Sequence, residues 1–196
     1  MIGPRASPAA SNNPTSNWVR AVAARTGISS LACAPRRTSK AGGTEAAKPA
    51  SAIAAHAHTD YARAMAALGR RVLAITQDSC AFSDDTGYLD EYGGVVLDES
   101  EGKVISAALG DHKALLLRHH GMLTVGGSVE EMAWWFLSLE QVCKVQLLAQ
   151  ATGELEEIPE PVRSETAALV GSPGAALINA KPMLDWIARV EPDMYE

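Results

Sequence analysis

Five histidines stand in the 196-residue chain: His56, His58, His112, His119 and His120. Four of them form two tight pairs. His56 and His58 make an H-x-H sequence in the run 53–58, which reads as a short strand. Residues two apart on a strand point to the same face, so the two imidazoles can converge on one ion. His119 and His120 occupy a glycine turn, HHG, where the strand-like run KALLLR (113–118) ends. Sheets of α/β proteins place ligand sites beyond the carboxyl ends of their strands. Three neutral imidazoles with a fourth position open describe a catalytic Zn²⁺ site, and nitrogen donors also suit other late divalent metals. Taken alone, either pair is more often an ordinary surface or core feature. Two pairs that each end a strand, 62 residues apart from His58 to His120, make a stronger case together. His112 lacks such a context and reads as a surface-loop residue.

The elements that must position these side chains are legible from residue 50 onward. Residues 60–68 read as a helix, with Thr59 as its N-cap and Gly69 just past its end. Residues 71–75 form a short extended run. GGVVL (93–97) reads as a strand, and DESE, with Asp98 and Glu101 at capping-box spacing, opens a helix that runs to Gly110. Residues 113–118 and 122–125 are strands. SVEE (128–131) opens a long helix over 129–150, whose Val129, Met132, Phe136, Leu139, Cys143 and Leu147 recur at helical spacing and should face the core. Short helices near 160–170 and 182–189 finish the chain. Of the adjacent Trp134 and Trp135, one should be core and the other an exposed interface anchor, which favours an oligomer.

Charge divides the sequence in two. Residues 1–55 hold seven basic residues and one acid, Glu45, for a net of +6; the remainder holds ten basic and twenty-two acidic residues, a net of −12. An acidic body of that kind argues against nucleic acid as a partner, because phosphates need clustered Lys and Arg. No apolar run reaches the ~18 residues of a membrane span. Cys33, Cys80 and Cys143 are too scattered for a disulfide framework or a cysteine zinc site. Residues 1–49, rich in Pro, Ser, Ala and Gly, bury little. They admit three readings: a disordered basic tail, an organelle (mitochondrial) transit peptide, or a non-native start in place of a missing N-terminal half. Residues 50–196 form the domain, and a reducing, cytoplasmic setting fits its cysteine usage.

Motif order then supplies a resemblance. HAHTDYARAMAALGR, ITQDSCAF, YGGVVL, ALGDHKALLLRHHGMLTVG and the following EEMAWWF helix resemble the class II aldolase/adducin family across residues 50–196. The resemblance implies a three-layer αβα sandwich around a central, mostly antiparallel sheet, incomplete at its N-terminal side. It also implies a divalent metal, usually zinc, held by the H-x-H pair and by the histidine of the HG turn: His56, His58 and His120. His119 stands where the family commonly has Asn; it could compete as a ligand, but a supporting or surface role is expected of it. Gln77 and Asp78 are candidates to line the site, and the other acids of that region (Asp84, Asp85, Asp90 and Glu91) read as a solvated loop, with a substrate-contacting or supporting carboxylate among them as the alternative. Tyr88 and Tyr92 are packing residues or reach a neighbouring subunit's site.

In this family the metal supports aldol cleavage or epimerisation of sugar phosphates and related hydroxy-carbonyl compounds. Cleavage of a C–C bond leaves negative charge that a Lewis acid stabilises, while a carboxylate moves the proton. The family's general base lies about twenty residues before the H-x-H pair, in what is here CAPRRTSK, and that stretch has no carboxylate. Glu45, eleven residues before His56, is the remaining candidate. The resemblance therefore implies a retained metal cage in a homo-oligomer, with little or no aldolase activity. The alternative is a non-catalytic, adducin-like module that associates with actin or with itself.

Overall fold

The run Ala114–Leu117 is buried at all four positions, and its side chains divide by turns between two cores. Ala114 and Leu116 join one cluster, Leu115 and Leu117 another, as the period of a strand requires. In the computed structural model, which describes residues 53–94 and 99–191, this strand lies in the middle of a mixed sheet.

The elements are β1 (Ile53–Ala57), α1 (Asp60–Leu68), a 3₁₀ turn (Asp78–Ala81), β2 (Thr86–Leu89), α2 (Glu99–Leu109), β3 (Ala114–Leu117), β4 (Gly121–Gly126), α3 (Val129–Gln150), α4 (Val162–Val170) and α5 (Pro173–Val190). The strand order is β1-β4-β3-β2. β1 pairs antiparallel with β4, β4 antiparallel with β3, and β3 parallel with β2. The sheet is thus mostly antiparallel, as expected.

Helices cover both faces. On one side Met65 of α1 and Trp135, Leu139, Val142 and Cys143 of α3 meet Ala114, Leu116 and Met122. On the other, Ile105 and Leu109 of α2 meet Leu115, Leu117 and Leu123. α5 lies against α3, so the layers are helix, sheet and helix pair. Register decides which face carries the histidine strand. His56 is opposite Leu123, so it shares the α2 face, while Ala55 and Ala57, opposite Thr124 and Met122, face α3. Small residues there let α3 come close, and a Cβ on Gly126 would lie 2.5 Å from the Met132 nitrogen.

Several elements follow local chemistry. Gly69 ends α1 at φ 61°, a left-handed cap that a side chain would strain. Ser128 caps α3 by accepting from the Glu131 N–H, and Glu131 returns the bond to the Gly127 N–H at 2.8 Å.

Other expectations need correction. Residues 71–75 join no ladder; their backbone is tied to side chains instead. The Val72 N–H donates to the Tyr88 hydroxyl (2.7 Å) and the Leu73 N–H to Gln146 Oε1 (2.9 Å). β2 arises in the region read as loop. Gly93 and Gly94 are not in a strand, and residues 95–98, with the Asp98 cap, lie outside the described residues, as do 1–49 and Glu45. Val129 is exposed, because the close contact of α3 with the sheet begins at Met132. The last helix begins at Pro173, nine residues early, capped by Ser172, which accepts from the Ala175 N–H; Pro182 lies inside it. Trp135 is buried, but Trp134 is half-buried against the same core; among the described residues the exposed tryptophan is Trp186. Among the described residues no helix is long and apolar enough to cross a membrane.

Candidate metal centre

His56 is held by the β1–β4 ladder. His58 comes just after the last pair of that ladder, Ala57 with Met122. His120 ends the β3–β4 turn and immediately precedes Gly121, whose partner is Leu117. These three positions meet because β1 lies beside β4 and the turn enters β4 at the end where β1 leaves the sheet. The imidazole centroids are 5.0 Å (His56–His58), 4.9 Å (His56–His120) and 4.7 Å (His58–His120) apart, each pair edge to face. One ligand-capable nitrogen from each lies within 4.8 Å of the other two. Tetrahedral bonds of about 2.0–2.1 Å put nitrogens about 3.3 Å apart, a contraction within reach of imidazole rotation.

Gly121 is required at this junction. A Cβ there would lie 2.6 Å from the Ala57 carbonyl oxygen and 3.0 Å from His58 Cδ2. The glycine of HHG thus lets β1 and the His58 ring approach the turn.

Burial pushes the His56 imidazole down to about 3, and charge on His120 and His58 would push the same way. His56 is therefore neutral at physiological pH, the form that binds a cation. Three imidazole nitrogen donors, with His58 exposed on the open side, fit a divalent ion such as Zn²⁺.

His119 stands apart. It is exposed, its Nε2 accepts from Arg118 Nε at 3.3 Å, and its ring lies 6.1 Å from that of Tyr92. It is the third residue of a turn closed by the His120 N–H on the Leu117 carbonyl (3.0 Å), with φ at 55°. Asn, the residue the resemblance leads one to expect there, would tolerate that left-handed conformation well.

Gln77 and Asp78 are not brought to the histidines. They line a separate cavity of about 350 Å³ with Trp134, Trp135 and Asn179. Most of the nearby acids form ion pairs. Asp85 accepts from the Lys113 N–H and meets Lys113 Nζ at 3.3 Å, Asp84 meets Arg163, and Asp90 meets Arg71 at 2.7 Å. The half-exposed His112 lies 3.7 Å from Asp85. Tyr88 packs under Arg71, and burial pushes its phenol up to about 12. Cys80 and Cys143 are buried free thiols, and burial shifts both upward, which disfavours the thiolate.

Sequence reasoning passed over one feature. A cavity of about 230 Å³ opens beside His120, lined by the apolar Leu89, Val104, Ile105 and Leu117 together with Glu91, Tyr92, Gly93, Gly94 and Arg118. It continues the α2-side core outward past the ends of the parallel strands β2 and β3. Glu91 and Tyr92 come directly after β2, a position that would have drawn notice had that strand been foreseen.

Fold and site together define a mixed α/β domain with a three-histidine cage at a strand end. The family model described as "Class II Aldolase and Adducin N-terminal domain" matches residues 45–147, and the chain belongs to that family. Decarboxylase NovR of Streptomyces niveus is 38% identical over 148 residues, covering 76% of this chain and 55% of the relative. The "4-hydroxy-3-prenylphenylpyruvate oxygenase/4-hydroxy-3-prenylbenzoate synthase" of Streptomyces roseochromogenus subsp. oscitans is also 38% identical over 148 residues, covering 76% and 53%. Among solved structures, L-fuculose 1-phosphate aldolase from Glaciozyma antarctica PI12 is similar with a TM-score of 0.66 and 34% identity, covering 73% of this chain and 54% of that one. The chain spans about half the length of the curated relatives it matches.

Proposed function

We propose that this chain is the metal-holding part of an enzyme that breaks a C–C bond next to a carbonyl, in an aldol cleavage or a decarboxylation. The convergence of His56, His58 and His120 carries the reading. Both reactions leave an electron pair on the carbon beside a carbonyl. A divalent cation, Zn²⁺ by its donor set, supplies a Lewis acid for the oxygen that takes up that charge. The chain's own part is to present three imidazoles on one side and leave the other open.

The cavity beside His120 bears on substrate class. Its walls are mainly apolar. A sugar phosphate needs several backbone N–H groups or cationic side chains, and among the described residues lining the cavity Arg118 is the single Lys or Arg, enough to pair with one carboxylate. An oxo or hydroxy acid with an apolar or aromatic body fits such walls better. The relative that is named for a prenylphenylpyruvate points the same way, and the relative named for fuculose phosphate points to the polar alternative. Among the described residues Glu91 is the carboxylate lining this cavity, which makes it the candidate for proton transfer. A homo-oligomer with a small-molecule substrate completes the proposal.

Metal content and turnover test it together. Purified chain should take up Zn²⁺, and His56→Ala should lose it. Metal-loaded chain should cleave an aryl oxo or hydroxy acid in preference to fuculose 1-phosphate, and Glu91→Gln should slow the reaction about a hundredfold or more. Zn²⁺ affinity unchanged in His56→Ala would remove the metal centre from the proposal. A loaded but inert protein would leave the adducin-like binding module as the better account.

A further inference from the structure

The start of α1, directly after His58, is held by a side chain about eighty positions away. The connection from β1 to α1 consists of His58 and Thr59 alone. His58 lies past the last ladder pair and is exposed, so neither sheet nor core fixes it. The next residues along the chain are fixed firmly. Glu140, half-buried near the middle of α3, accepts from the Thr59 hydroxyl at 2.6 Å and the Ala62 N–H at 2.9 Å through Oε2, and from the Tyr61 N–H at 3.0 Å through Oε1. Thr59 is the N-cap of α1, yet its hydroxyl caps no N–H of its own helix. Glu140 takes over that work from another element, placing its charge where the exposed N–H groups and the helix dipole favour an anion.

We propose that Glu140 is the positioning residue of the metal cage: it pins the first turn of α1 to α3 and thereby sets where the His58 imidazole stands relative to His56 and His120. This rests on the metal-centre reading and adds a residue to it. Three charge-assisted bonds to the start of α1 leave the two-residue connection little freedom. Without them α1 keeps its buried face, Ala62, Met65 and Ala66, but its first turn loosens, and His58 is adjacent to that turn. The effect is on the geometry of one ligand rather than on the fold.

The test uses the full chain with Glu140→Ala, Glu140→Gln and, as a control on the same helix, Gln146→Leu, which cuts a different tie of α3. Zn²⁺ affinity is read by competition with a chromophoric chelator, and the His58 ring resonances are read by NMR in metal-free protein. Glu140→Ala should weaken Zn²⁺ binding about ten- to a hundredfold, the usual effect of losing a group that orients a ligand. Glu140→Gln, which keeps an acceptor oxygen, should lose less, and Gln146→Leu should bind as the parent does. The His58 resonances should move in Glu140→Ala while those of His56 stay. Unmoved His58 resonances overturn the proposal, as does an equal loss of affinity in Gln146→Leu or an unchanged affinity in Glu140→Ala. If the parent chain takes up no Zn²⁺, the metal-centre reading falls, and the metal-free His58 resonances alone decide the role of Glu140.

Discussion

His56 and Leu123 face each other across the antiparallel β1–β4 ladder, an imidazole and a fully buried leucine on one face of the sheet. That pairing keeps the histidine on a buried face, and burial disfavours its charged form. Its pKa falls from the ordinary 6.5 to about 3 in the folded chain.

Stability must then depend on pH. Below 6.5 the unfolded chain takes a proton on His56 that the folded chain refuses down to about 3. Stability of the metal-free protein should therefore fall as pH drops through that window, with a slope of up to about 1.4 kcal/mol per pH unit. Urea unfolding in chelator at pH 7.5, 6 and 5 measures it. His56→Gln should flatten the slope, and an equally steep slope in that variant would place its origin elsewhere.

His119 bears the left-handed residue of the β3–β4 turn. His119→Asn should raise stability by up to about 1 kcal/mol, since Asn adopts that conformation at lower cost. Zn²⁺ affinity should not change, in contrast to His120→Ala, which should abolish tight binding. A loss of affinity in His119→Asn matching that of His120→Ala would return His119 to the ligand set.

Gly121→Ala should push against the Ala57 carbonyl and the His58 ring together. Strain of this kind costs about 1–3 kcal/mol. Thermal unfolding and Zn²⁺ titration should both register the change. An affinity loss with little change in melting would show the His58 ring giving way first; neither effect would mean that β1 moves aside freely.

Gln146 is fully buried on α3, donating to the Arg71 carbonyl at 2.8 Å and accepting from the Leu73 N–H at 2.9 Å. Gln146→Leu strands both backbone groups, at about 1–3 kcal/mol for each one left unsatisfied. The denaturation midpoint should drop accordingly, and amide exchange at Leu73 should speed up. Parent-like exchange there would mean that the 71–75 segment is held by its other ties.

Local pattern carried a large part of this molecule. The strands around both histidine pairs, α1 with its glycine cap, and α3 with its Ser128 start could be read from spacing and cap chemistry, because those signals lie within a few residues of the element they define. Motif order carried the family and, with it, the choice of His120 over His119. The Ser172–Pro173 start of α5 was also present in the residues, but Pro182 drew the boundary to the wrong proline.

The pairings across the chain were decided by folding alone. β2 (Thr86–Leu89) shows no alternation, and its strand character comes from parallel pairing with β3. Glu140 and Gln146 read as ordinary polar positions on a long helix. Their work is to satisfy groups 73 to 81 residues away. The residue types announced that three imidazoles could serve a cation, since that is chemistry of the side chain itself. Their meeting depended on β1 lying next to β4 in one register, because a slip of one residue would have turned His56 to the opposite face.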